Sequence, residues 1–294
     1  SPRVCVVGVG LGVDHEYIRV NRSGENRNLH MKDIHAREKQ VALVTGGGEG
    51  IGRAIALAFA AQKTQVIICG RRREALEATS GEIAAMGAEA LVFPCDITRK
   101  EEILEMVQQV IRSYDRLDIL VNNAGRSGRT PIDDPDDSRW RDIIEVNLTG
   151  TYLCSKAVLP HMIQRGYGRI VNISSVLGRF GVSGYAAYCT AKHGLLGFTK
   201  SLALEVADRG VTVNAICPTW VDTAMARLGI EETAAVLGMT SATFREQAVR
   251  AIPMKRMAEA DEIAALAVFL CGPGANAITG QAINVCGGTT AGIA

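Results

Sequence analysis

Residues 40–62 read QVALVTGGGEGIGRAIALAFAAQ, and the side-chain period changes twice along them. Gln40–Thr45 is a short β-branched run of the kind that forms a buried strand. Gly46-Gly47-Gly48-Glu49-Gly50-Ile51-Gly52 follows, with no bulky side chain except Glu49 and Ile51. Arg53–Gln62 is then apolar at helical spacing. A strand, a glycine loop and a helix in this order bring backbone N–H groups and a helix N-terminus against a pyrophosphate. A glycine loop alone is also what any flexible turn looks like. The strand before it and the helix after it favour nucleotide binding.

The same alternation continues outward. Gln65–Cys69 precedes a helix at Arg71–Met86, and Glu89–Pro94 precedes one at about Arg99–Tyr114. Asp118–Asn122 leads into a long helical stretch ending near Gln164, and Gly168–Ser174 into the small-residue segment Ser183–Ala207. Val211–Ile216, a helix near Asp261–Leu270 and Gln281–Val285 complete the series. Strands apolar throughout, alternating with helices, predict a doubly wound parallel sheet in a single α/β domain over 39–294, with ligands at the carboxyl ends of the strands. Asp222–Met257 is an irregular excursion, helix-prone but interrupted by Gly229, Gly238 and Pro253, as a cover over a pocket would be.

Residues 1–38 read differently. Val4–Val13 imitates a nucleotide loop, but the polar, aperiodic stretch from His15 to His30 follows it in place of a helix. Met31 resembles a natural start, so residues 1–38 are expected to be a leader or an extension of foreign origin, disordered or loosely attached.

Composition bounds the partners. The chain has 294 residues, 47% of them hydrophobic, and a net charge of +1, which gives no footprint for nucleic acid or a membrane surface. No run approaches the length of a membrane-spanning helix. Eight cysteines, at 5, 69, 95, 154, 189, 217, 271 and 286, show no metal-ligand spacing. They read as reduced thiols of a cytoplasmic protein, and no metal is expected.

Chemistry concentrates at Tyr188-Cys189-Thr190-Ala191-Lys192. On a helix, Tyr188 and Lys192 lie one turn apart on one face. An ammonium beside a phenol favours the phenolate, so the Tyr188 pKa is expected to fall toward neutrality and make it a general acid/base. Alone, the pair reads more readily as two common residues on a solvated face.

TGGGEGIG, Asn122-Asn123-Ala124-Gly125, Asn147 in EVNLTG, Ser175 in NISS and Tyr188-x-x-x-Lys192 together resemble the short-chain dehydrogenase/reductase family over about residues 39–288. NNAGRSG, Gly272-Pro273-Gly274-Ala275 and the ending Ile283–Gly288 are similar to 3-oxoacyl-carrier-protein reductases and actinorhodin-type polyketide ketoreductases. The resemblance implies a Rossmann fold and a catalytic set of Asn147, Ser175, Tyr188 and Lys192. Tyr188 would exchange the proton, and Lys192 would hold the nicotinamide ribose. Ser175, thirteen residues before Tyr188 and so not its neighbour Ser174, would orient the substrate oxygen. Asn147 would hold a water beside Lys192. Cofactor contacts are implied at Gly46, Gly50, Ile51, Gly52, Arg71, Asp96, Asn123, Ala124, Gly125, Tyr188, Lys192, Pro218, Val221 and Thr223. The family usually has Pro-Gly where this chain has Pro218-Thr219, so this loop is expected to be built differently if the backbone there needs φ above zero. A homotetramer is implied as well.

Cofactor choice rests on Cys69-Gly70-Arg71-Arg72-Arg73, where no acid stands to bind a ribose 2′-OH. Guanidinium groups favour a 2′-phosphate, so NADP(H) is preferred, with Glu49 arguing for NAD(H). The expected function is NADPH-dependent reduction of a 3-oxoacyl or polyketide ketone, with a small-molecule carbonyl or alcohol substrate, free or bound to a carrier protein. The alternatives are an NAD-dependent dehydrogenase of a steroid, sugar or alicyclic alcohol, and a non-catalytic nucleotide sensor. Substrate choice is expected to lie in the Arg126–Asp137 loop and the Asp222–Met257 cover.

Overall fold

The structure is a computed structural model that describes residues 39–291 and, before them, the backbone of two short strands, Glu16–Val20 and Asn26–His30. These strands pair antiparallel, Glu16 opposite His30 and Val20 opposite Asn26. They occupy most of the polar stretch to which the sequence reading gave no element. The readings of Val4–Val13 and of a start at Met31 lie outside the described residues.

From Gln40 the chain forms a separate unit built on seven parallel strands. In chain order these are β1 (Val41–Thr45), β2 (Gln65–Gly70), β3 (Ala90–Pro94), β4 (Ile119–Asn122), β5 (Gly168–Ile173), β6 (Val211–Pro218) and β7 (Ala282–Val285). They stand side by side as β3-β2-β1-β4-β5-β6-β7. The order reverses between β1 and β4, where Ala42 pairs with Ile119 and Val44 with Val121. That crevice is the topological switch point, where ligands of such sheets bind.

Both faces of the sheet are buried, which explains the unbroken apolar runs. Along β1, Ala42 and Val44 point into one core with α1 (Gly50–Ala61), α2 (Arg73–Ala85) and α9 (Ala260–Cys271). Val41 and Leu43 point into the other, with α3 (Lys100–Tyr114), α5 (Gly150–Arg165) and α6 (Ala186–Val206). Each of these four strand residues is at most 1% exposed.

The long helical stretch after β4 is one rod in three parts. α4 (Ser138–Ile144) widens into a π turn over Glu145–Thr149 and continues as α5. π turns of this kind recur at functional sites, and Asn147 sits in this one.

The cover is more regular than expected. It is two helices, α7 (Ala224–Val236) and α8 (Ser241–Ala251). Gly229 does not break α7. It lies inside the helix, buried beside the Trp220 ring, where a Cβ would make an ordinary contact at 3.6 Å. Gly238 and Pro253 do fall outside the helices, Gly238 at φ +65 just past α7. Among the described residues no helix is long and apolar enough to cross a membrane.

Candidate active site

The loop after β1 is laced to the loop after β4. Thr45 Oγ1 accepts from the Asn123 and Ala124 amides, both at 3.0 Å. Asn123 Nδ2 returns a bond to Thr45 O at 3.0 Å. The glycines are needed sterically. Gly46 stands at φ +66 with Ala124 Cα 2.9 Å from where a Cβ would be, and a Cβ on Gly52 would come within 2.1 Å of Gly46 O. Gly50 and Gly52 shape the turn that the other loop residues line.

Two spaces open along this edge. A groove of about 160 Å³ is lined by Gly46, Glu49, Arg71, Arg72, Asp96 and Ala124, among others. A cavity of about 380 Å³ holds Ile51, Asn123, Asn147, Ser175, Tyr188, Lys192, Pro218, Val221 and Thr223 on its walls. Gly125 lines both. The site residues expected from the sequence therefore fall in one continuous strip of the molecule. Burial pushes the Asp96 carboxyl up, but the Thr98 amide at 3.0 Å, the Thr98 hydroxyl at 2.8 Å and the Arg71 charge outweigh it and hold it below the usual range.

Three arginines stand where β2 gives way to α2, at the positive end of the helix dipole, which disfavours cations. Two are answered by carboxylates: Arg72 by Glu49 at 2.6 Å and Arg73 by Glu77 at 3.5 Å. Arg71 has no ion-pair partner among the described residues and faces the groove.

In the cavity, the Ser175 hydroxyl lies on the same wall as the Tyr188 phenol, whose pKa it lowers, and accepts from the Leu177 amide at 3.1 Å. Ser174 turns the other way, its Oγ donating to Lys192 O at 3.1 Å. Lys192 Nζ donates to Ile173 O at 2.8 Å and lies 5.5 Å from the centre of the Tyr188 ring. The π turn lets Asn147 Nδ2 donate to Ile143 O and Arg126 O, each at 2.8 Å. Its buried Oδ1 has no protein partner and lies 2.7 Å from where a Gly125 Cβ would stand. Thr219 keeps an ordinary negative φ, so the loop after Pro218 needs no glycine.

The expectation for Tyr188 is corrected here. Burial pushes its phenol up to about 12, and the lowering by the Ser175 hydroxyl does not offset that. Burial also pushes Lys192 down to about 8. The i,i+4 argument places the ammonium on the right face, but it lies over the ring and both groups have lost water. Lys192 therefore destabilises the cofactor-free fold. Its folded pKa is below the unfolded one, so the cost is full below about pH 8, shrinks up to pH 10.5 and vanishes above. The shift corresponds to about 3 kcal/mol, and the lost bond to Ile173 O returns about 1–2 kcal/mol of it. Cofactor-free Lys192→Met should thus melt about 3–6 °C above wild type at pH 7, the gap closing toward pH 10.5. An equal or lower melting temperature at pH 7 would contradict this account.

A nicotinamide dinucleotide fits these residues. The glycine cradle leaves room only for backbone against the groove, Arg71 and Asp96 stand at one end, and Tyr188, Lys192 and the unpartnered Asn147 Oδ1 at the other. The family pattern described as short chain dehydrogenase matches residues 40–233. The chain belongs to that family. It is thus an oxidoreductase that works with NAD(P)(H). A ketoacyl reductase of Streptomyces coelicolor is 41% identical over 86% of this chain and 97% of its own. A 3-oxoacyl-[acyl-carrier-protein] reductase of Synechocystis sp. is 39% identical over 85% of this chain and 96% of its own. Among solved structures, a single-substitution variant of actinorhodin polyketide ketoreductase with NADPH is 42% identical, with a TM-score of 0.83 over 85% of this chain and 97% of that one.

Within this dehydrogenase, the Asp222–Met257 cover lines the cavity through Met225, Gly229, Phe244 and Ala248, as the sequence reading expected, but the aromatic character of the walls was missed. Phe180, Tyr185, Trp220 and Phe244 supply most of its aromatic surface, Trp220 and Phe244 packing edge to face at 6.4 Å. Of the Arg126–Asp137 loop, only Ser127 reaches the cavity, and the stretch from Val176 to Val182 takes the part expected of that loop. The one available signal was Trp220, one of two tryptophans in the chain, two residues after Pro218.

Proposed function

We propose that this dehydrogenase reduces an uncharged, apolar ketone, a 3-oxoacyl or polyketide carbonyl, with NADPH as reductant and Tyr188 as general acid. The observation that carries this is the cavity itself: Tyr188 and Ser175 lie in an apolar, aromatic space in which Lys192 is the only charged lining residue. A sugar acid would find no counter-cation beyond Lys192 among the lining residues.

The reduced nicotinamide, when bound, supplies the hydride. Ser175 donates to the carbonyl oxygen and fixes its position. Tyr188 gives its proton to that oxygen as negative charge develops there. A phenol held near 12 stays protonated at neutral pH, which suits a proton donor in the reductive direction. Lys192, a turn away, supplies positive charge and a hydrogen-bond donor at the same end of the cavity.

Turnover with a panel of apolar ketones, polyols and sugar acids, each with NADPH and NADH, tests the reading. Ketone reduction with NADPH is expected; activity confined to polyols or sugar acids with NAD would overturn it. Apolar alicyclic alcohols oxidised with NAD are the second reading, which the cavity walls also accommodate. The two serines give a sharper test. Ser175→Ala should lower kcat by roughly 10²-fold, as loss of an oxyanion donor does, and Ser174→Ala by less than about tenfold, since its hydroxyl is held by Lys192 O. The reverse ranking would move the donor role to Ser174.

A further inference from the structure

Glu49 stands at the N-cap of α1, a position where Asp, Asn, Ser or Thr ordinarily bonds the first amides of the helix. Here it makes no such cap. Its carboxylate reaches Arg72 at 2.6 Å, joining the glycine loop to the start of α2, and both residues line the groove that Arg71 also lines. In sequence the acid and the arginines look like opposed votes on the cofactor. In space the acid is taken up by one arginine, and the remaining one is the cation left open to the groove.

We propose that Arg72 is the counter-ion that cancels Glu49, so that the Glu49–Arg72 pair, together with Arg71, sets the selection of a 2′-phosphorylated dinucleotide. This rests on the reading of NADPH as the cofactor. Without Arg72, a bare carboxylate would share the groove with the 2′-phosphate and repel it, while a free 2′-OH would tolerate it. Arg72 thus acts through Glu49 and is a positioning residue for charge, not a phosphate ligand. As an exposed pair, with side chains 70% and 45% exposed, it adds little to stability, so removing it leaves the fold intact.

A double-mutant cycle on binding tests this without turnover. Dissociation constants for NADPH and NADH are measured by fluorescence titration on wild type, Arg72→Gln, Glu49→Gln and the double variant of the full chain, with melting curves confirming the fold of each. Arg72→Gln should weaken NADPH about tenfold and NADH less than about threefold, whereas the double variant should bind NADPH within about threefold of Glu49→Gln. Equal NADPH losses in both backgrounds would make Arg72 a direct phosphate ligand and overturn the proposal. No loss in either background would overturn it as well. If wild type prefers NADPH but the cycle is additive, only this proposal fails. If wild type binds NADH as tightly as NADPH and Arg71→Ala changes neither, the cofactor reading fails and takes this one with it.

Discussion

Tyr188→Phe is expected to leave at most a few per cent of wild-type turnover while NADPH affinity stays within about twofold, because only the proton donor is removed. The ring remains and still packs beneath Lys192, whose Nζ keeps its bond to Ile173 O. Ser175 also remains, so the carbonyl still has one donor. What is missing is a proton. Lys192, the ammonium over the ring, is held at Ile173 O. Steady-state kcat and a fluorescence titration of NADPH on the same preparation decide the matter. A variant that retains more than a few per cent of the wild-type rate would remove Tyr188 from the role of acid.

Arg71→Asp is expected to lower the ratio of catalytic efficiencies, NADPH over NADH, by at least about 10²-fold, some 2.7 kcal/mol. The substitution turns the open cation of the groove into a carboxylate. A 2′-phosphate is then repelled, while a 2′-OH gains an acceptor. Because the contact is ionic, NADPH binding to wild type should also weaken with salt more than NADH binding does. A wild type that already prefers NADH would favour the alcohol dehydrogenase reading and leave the arginines as a solvated helix start.

Much of the molecule was legible because a sheet buried on both faces writes itself as continuous apolar runs. QVALVT, QVIIC and DILVN could be placed without knowing what covers them. Asn147, Ser175, Tyr188 and Lys192 were legible through the family resemblance, and all four line one cavity. Properties that depend on what surrounds a residue were not legible. The Tyr188 pKa follows from burial on all sides, and no i,i+4 rule contains that. The aromatic walls come from segments scattered over Phe180, Trp220 and Phe244, each of which reads alone as ordinary core. Glu49 and Arg72 find each other only because β2 lies alongside β1, Thr45 opposite Cys69. Gly229 looked like a break because glycine is a poor helix former, and the packing of α7 that overrides this propensity is not visible in sequence.

The π turn at Glu145–Thr149 has a consequence for heredity. Such a turn accommodates one residue more than an α turn, so every position beyond it is rotated by about 100° from where an unbroken helix would carry it. Cys154, Ser155, Val158 and Met162 face the core, and Tyr152 faces out, because of that single supernumerary residue. Between Ile143 and Thr151, positions other than Asn147 and Gly150 should therefore tolerate substitution better than the segment tolerates a change of length. A one-codon deletion there would leave a more regular helix, yet it would turn a new stripe of side chains toward the sheet and shift Asn147 from the cavity wall it shares with Lys192.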